Sequence, residues 1–193
     1  MLSLSKPSAE SIRSYLSAQA KLDFTYTAIG ATAAKPPDSY VLDHIRVKLG
    51  DGEAVYKTAK LALERWEQFN LGWLATMPPE TPIKSGEVVA VVARAFSLYW
   101  VNPCRIVYVI HKAGPVFRFG FAYGTLPGHL ETGEERFLIE WHQREGSVYY
   151  DVLAFSRPRH FLTRIGYRRV RRMQKRFGQE SAAAMLQAVH RPH

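Results

Sequence analysis

From Glu87 to Ser156 the chain keeps a two-residue hydrophobic alternation through five consecutive blocks. In the first block Val88, Ala90, Val92, Arg94 and Phe96 alternate with Val89, Val91, Ala93 and Ala95. The same period recurs over 105–111, 117–123, 137–142 and 148–155. Side chains in a strand point to opposite faces at every step, so a sustained period of two predicts strands and excludes helices here. The separators Lys112-Ala113-Gly114-Pro115, Leu126 to Gly133, and Glu145-Gly146 are too short for crossover helices. Successive strands joined by such turns make an antiparallel meander. With a strand over Gly72 to Met77 the expected sheet has about six or seven strands.

An antiparallel sheet of that size has an apolar face to bury, and the remaining sequence supplies the cover. Val55, Ala59, Ala62, Leu63, Trp66 and Phe69 recur every three or four residues, predicting a helix over 52–70 with Asp51 as its cap. A shorter amphipathic helix is expected over 8–21, and Phe24 to Ala28 reads as a strand. The chain closes with a long helix expected over 159–189. On a helical wheel Leu162, Gly166, Val170, Met173 and Phe177 share a narrow arc. Only this helix is long enough to cover the sheet. The expected fold is therefore α+β, a helix-grip in which a curved antiparallel sheet wraps a long C-terminal helix. It divides into an N-terminal helical segment, 1–22, and one helix-grip domain, 23–193.

Charge is concentrated in that last helix. The formal net charge is +9, from 26 Lys and Arg against 17 Asp and Glu. Nine of the basic residues lie between Arg157 and Arg176, a stretch with no acid, and the rest of the chain is neutral. Arg164, Arg168, Arg171 and Lys175 fall opposite the apolar arc and form a candidate anion-binding surface. Guanidinium groups suit phosphate, so an anionic membrane surface is a possible partner. Aromatic residues are not interleaved among these arginines as stacking platforms would require, so nucleic acid is an unlikely partner. The alternative is a solvated face whose flanking arginines pair with Glu134, Glu135, Glu140 or Asp151.

Other features set limits. The single cysteine, Cys104, excludes an intrachain disulfide and a cysteine-based zinc cage. The apolar run from Val88 to Val101 is interrupted by Arg94 and falls short of the ~20 residues a spanning helix needs. No secretory h-region follows Met1, and a cytoplasmic protein is expected. No cofactor or metal signature is present at recognisable spacing.

Several strings together carry a resemblance. Tyr123-Gly-Thr-Leu-Pro-Gly-His129, Gly133-Glu-Glu-Arg-Phe137, Ala154-Phe-Ser-Arg-Pro158 and Arg171-Arg-Met-Gln-Lys-Arg-Phe177 occur in order. Upstream stand Leu49-Gly-Asp-Gly-Glu53, Trp66, Gly72-Trp73 and Asn102-Pro-Cys-Arg105. From Phe24 to Met185 the chain resembles an uncharacterised bacterial and plant family catalogued as domain of unknown function nineteen-ninety. That family is similar to the Bet v 1 and START-type superfamily. The resemblance implies the helix-grip fold and a cavity for a hydrophobic or amphipathic small molecule, and it implies no reaction.

The candidate ligand residues are Tyr123, Thr125, His129, Glu134 and Arg157, which cluster at strand ends in the most motif-dense part of the chain. Tyr123 and Thr125 share a strand face, and Arg157 offers a planar donor set to a carboxylate or phosphate head group. The structural alternative is that these groups satisfy one another and lock the turn. The bare face Gly120, Ala122 and Gly124 is expected either to floor the ligand site or to admit the C-terminal helix. An enzyme using His129, Glu134 and Glu135 is a further alternative, since imidazole and carboxylate can relay a proton. Ser156 lacks the Gly-x-Ser-x-Gly setting of a nucleophile elbow, so it is read as closing the last strand.

Overall fold

Eight strands and three α-helices account for the regular structure in the computed structural model, which describes residues 1–95, 97–159 and 166–191. In chain order they are β1 (Leu2–Ser3), α1 (Ala9–Gln19), β2 (Val41–Asp51), α2 (Glu53–Glu64), β3 (Leu74–Met77) and β4 (Val88–Ala95). Then follow β5 (Leu98–Lys112), β6 (Val116–Thr125), β7 (Glu131–His142), β8 (Ser147–Pro158) and α3 (Tyr167–His190). The sheet is antiparallel throughout in the order β2-β8-β7-β6-β5-β4-β3, and β1 adds to β5. Six of the strands form the expected meander from β3 to β8. The seventh, β2, returns to pair with β8 along 41–51.

The alternation decides the two faces. Phe117, Phe119, Phe121 and Tyr123 of β6 point inward, beside Phe137 and Ile139 of β7 and Val148, Tyr150 and Val152 of β8. Onto this concave face pack α2, the 3-10 turn Glu67–Phe69 and α3, with Phe69 in ring contact with Phe121's neighbours Tyr123 and Phe137. Side chains of this kind each contribute ~1.5–3 kcal/mol on full burial, so the aromatic cluster dominates the core. On the outer face α1 covers β4 and β5, where Ile12 and Leu16 meet Ala90 and Val101.

Local expectations fail in instructive places. Phe24 to Ala28 is not a strand, and the strand ahead of α2 is β2. The run Val88 to Val101 is not one strand but parts of two, β4 and β5, with Ser97 between them at φ 60°. Asp51 does not cap α2; the cap position is Gly52, and Asp51 pairs with Lys48 instead. The helix expected over 52–70 ends at Glu64, because Trp66 turns to the left-handed region at φ 59°. Glu131 to Gly133, expected within the turn from Leu126, already belongs to β7. Phe96, Leu162 and Arg164 lie outside the described residues.

The long helix packs through a different part of its length than the wheel implies. Gly178, Ser181, Ala182 and Met185 are buried, whereas Val170, Met173 and Phe177 are only half-buried. A methyl group at Gly178 would overlap Ile45 Cδ1, so the helix backbone there lies directly against the Ile45 side chain of β2. The C-terminal half of α3 is thus the anchored half. Its N-terminal half stands over open space.

Candidate functional site

That space is a cavity of about 770 Å³ between α3 and the concave face. One side is apolar, made by Trp73, Leu74, Val91, Ala93 and Trp100, with Phe177 contributed by the helix. The opposite side is polar and is built by β2, β7, β8 and the turn before β7. There Asp43, His129, Glu131, Glu135, Ser156 and Gln174 approach one another.

Adjacent residues of β7 have separate fates, because strand neighbours face opposite ways. Glu135 points inward, directly across from Tyr123, whose hydroxyl donates to its Oε2 at 2.7 Å. Burial raises the Glu135 carboxyl to about 7, and the nearby Glu131 and Asp43 carboxylates push in the same direction. Glu134 points outward. It is buried at 3% exposure and accepts from Tyr26 Oη (2.7 Å), Gly30 N–H (2.7 Å), Thr32 N–H (3.0 Å) and Thr32 Oγ1. Four donors from one segment therefore converge on one carboxylate, tying the 26–32 segment to the outside of the sheet.

The bare face of β6 belongs to the same outer assembly. Gly120, Ala122 and Gly124 neither line the cavity nor admit α3. A methyl at Gly124 would overlap Tyr26 Oη, so the glycine is the socket for the tyrosine that Glu134 holds.

His129 lines the cavity, and the backbone N–H of Glu131 donates to its Nδ1 at 3.0 Å. The same Nδ1 lies 3.2 Å from the Glu131 carbonyl, so the Glu131 backbone fixes the ring's position with either nitrogen carrying the proton. Desolvation holds the imidazole at about 4, so it is neutral at physiological pH. It is bonded to neither Glu134 nor Glu135. The three-residue arrangement expected for an enzyme is thus divided: His129 and Glu135 share the cavity, and the Glu134 carboxylate is committed elsewhere.

Of the five residues expected to hold a ligand, Tyr123 and His129 present polar atoms at the cavity. Thr125 borders it, but its hydroxyl exchanges hydrogen bonds with Gly133 and meets Thr25 Oγ1. Glu134 is used by the outer segment. Arg157 is exposed and stacks its guanidinium over Tyr40, 4.6 Å from the ring centre, away from the cavity lining. The structural alternative therefore describes Thr125 and Glu134.

The residues that sequence reasoning passed over are Asp43 and Gln174, and they meet Glu131 of the turn segment and Ser156, which was read as closing the last strand. Arg171 of α3 grips Asp43 bidentately at 2.5 and 2.6 Å and also donates to Gln174 Oε1. Gln174 Nε2 in turn reaches both oxygens of Glu131 at 2.7 Å and Ser156 Oγ at 3.0 Å. Burial raises the Glu131 carboxyl, with Gln174 and Arg171 opposing. The available signal was Gln174 inside the Arg171-to-Phe177 string; Asp43 carried none, since β2 itself was missed.

The basic residues of α3 are not one surface. Arg171 is half-buried and paired, whereas Arg168, Arg172 and Lys175 are exposed. Two of the four acids expected to pair with helix arginines pair with strand arginines instead. Glu140 takes Arg46 and Arg118, and Asp151 takes Arg46 and Arg136, on the outer face of the sheet. Among the described residues no group of three or more His, Cys, Asp or Glu is placed to hold a metal ion, and no helix is long and apolar enough to cross a membrane.

A curled antiparallel sheet gripping a C-terminal helix over a cavity defines the helix-grip class. Comparison with solved structures agrees. A hypothetical protein from Helicobacter pylori, jhp0584, superposes with a TM-score of 0.54 at 9% identity, covering 85% of this chain and 94% of that one. The Bet v 1-type protein Ara h 8.0201 superposes at 0.51 with 11% identity, covering 78% and 98%. Residues 25–184 match the family model described as "Domain of unknown function (DUF1990)", and the chain belongs to that family. A UPF0548 protein of Dictyostelium discoideum is 32% identical over 208 residues, 98% of this chain and 96% of the relative.

Proposed function

We propose that the protein binds a hydrophobic or amphipathic small molecule in the cavity under α3. The observation that supports this reading most is the cavity's composition: about 770 Å³, apolar along one side, with polar atoms gathered on the other. Small-molecule sites share that volume range and that division of lining. The helix-grip likeness supports a binding fold, and the ligand is inferred from the cavity alone.

The test is occupancy. Native mass spectrometry of the purified protein is expected to show a bound species, or to show uptake of the neutral apolar fluorophore N-phenyl-1-naphthylamine. Ala154 is half-buried on β8 and borders the cavity. Ala154→Trp is expected to obstruct the space and weaken uptake while the thermal melt stays cooperative. Equal uptake by wild type and Ala154→Trp, or no uptake by either, overturns the reading.

A further inference from the structure

We propose that the cavity selects ligands whose polar end is a protonated amine, with Glu135 as the partner of the ammonium group. This deepens the reading of the cavity as an amphipathic binding site and rests on it.

The inference follows from which polar atoms are already used. At the polar side of the cavity Asp43 is gripped by Arg171, and both oxygens of Glu131 accept from Gln174. Arg171 and Gln174 are thereby spent. Glu135 differs: Oε2 accepts from Tyr123, and Oε1 has no partner among the described residues. It is an acceptor on a half-buried side chain that opens on the cavity. A carboxylate partly withdrawn from water with unused acceptor capacity gains from any donor or cation that reaches it.

The surrounding charges favour the cation. Glu135 is faced by Glu131 on its own strand, Asp43 on β2, Tyr123 on β6, Tyr150 on β8, buried Cys104 on β5 and His129 on the preceding turn. None of these is a cation at neutral pH, since His129 is held neutral. Among the described residues, the cations that border the cavity are Arg169 and Lys175, both exposed on α3, where solvent screens them. An anionic head group in the interior would therefore meet three carboxyls, whereas an ammonium forms a charge-assisted hydrogen bond with the one that is open. This reverses the polarity expected from Arg157, whose planar donor set suits a carboxylate or phosphate head group.

The experiment is displacement of N-phenyl-1-naphthylamine by three ligands with one chain length, decylamine, decanol and decanoate, near pH 7.5. Decylamine is expected to displace the fluorophore at a concentration about tenfold below decanol, with decanoate weakest, since a hydrogen bond to a charged group is worth ~1.5–3 kcal/mol. Glu135→Gln is expected to erase the advantage of decylamine and leave decanol unchanged, with its melt confirming the fold. Decanoate matching or exceeding decylamine would show that Arg169 and Lys175 set the preference, and it overturns the proposal. So does an advantage of decylamine that survives Glu135→Gln, or equal displacement by decylamine and decanol; in each case the cavity reading stands. Failure of the fluorophore to bind wild type and variant alike overturns the cavity reading and this proposal with it.

Discussion

Replacing Glu135 by glutamine changes how stability depends on pH, and the size of the change can be worked from its surroundings. The carboxyl is raised from an ordinary 4.5 to about 7, with desolvation as the largest cause. Between those values the folded chain keeps a proton that the unfolded chain has released, so stability falls as pH rises through this window. Each factor of ten in proton affinity is worth about 1.4 kcal/mol, giving a ceiling of about 3 kcal/mol lost by about pH 8. His129 acts in the opposite sense. Its folded value of about 4 lies below the ordinary 6.5, so the unfolded chain takes up a proton first and stability is lost as pH falls through that range. In the wild type the two slopes oppose each other over much of the mildly acidic range, and neither shows plainly. Glu135→Gln removes one of them while its amide oxygen still accepts from Tyr123. Urea denaturation of both proteins is expected to give equal stabilities near pH 4.5. The advantage of the variant should then grow to about 2–3 kcal/mol near pH 8 and level off there. A difference that is flat with pH, or that favours the wild type at high pH, would refute a Glu135 carboxyl held protonated by desolvation.

Two further outcomes follow from the outer face. Glu134→Ala strands four donors at once and is expected to cost about 3–5 kcal/mol in urea denaturation, with loss of amide protection at Gly30 and Thr32 by hydrogen exchange. Gly124→Ala is expected to cost about 1–3 kcal/mol by driving its methyl into Tyr26, and Tyr26→Ala in the same chain should remove most of that added cost; a strictly additive double mutant would count against the socket.

The sheet and its last helix were legible because they rest on period. Alternation over β4 to β8 is dense and assigns most inward residues without knowledge of their neighbours; it fails in β5, where a register shift between Ile106 and Tyr108 puts those two side chains on opposite faces. The cavity's polar side was half legible. Tyr123 could be placed because it sits in the middle of a well-patterned strand. Glu134 and Glu135 were not separable, because the stretch from Leu126 to Gly133 reads as turn chemistry and the start of β7 lies inside it. Two consecutive glutamates in a turn have no assigned faces; in a strand they must diverge. Asp43 was lost with β2, whose even positions Leu42, His44, Arg46 and Lys48 are exposed and give only a weak alternation. Arg171 was misjudged for a related reason. A wheel shows that it lies off the apolar arc, but only the tertiary structure shows Asp43 waiting there.

The placement of the two glutamates on opposite sides of β7 also bears on how the strand finds its alignment during folding. A slip of one residue in either direction would carry Arg136 onto the concave face and turn Phe137 out towards water. One slip would leave the Tyr26, Gly30 and Thr32 donors facing Gly133, with no acceptor at all. The other would offer them Glu135, but at the expense of putting a guanidinium where Tyr123 now finds its carboxylate. Misaligned intermediates thus forfeit hydrophobic and polar contacts together, and the adjacent acids act as a vernier that marks the native alignment of this interior strand as the one in which Glu134 meets its four donors and Glu135 meets Tyr123.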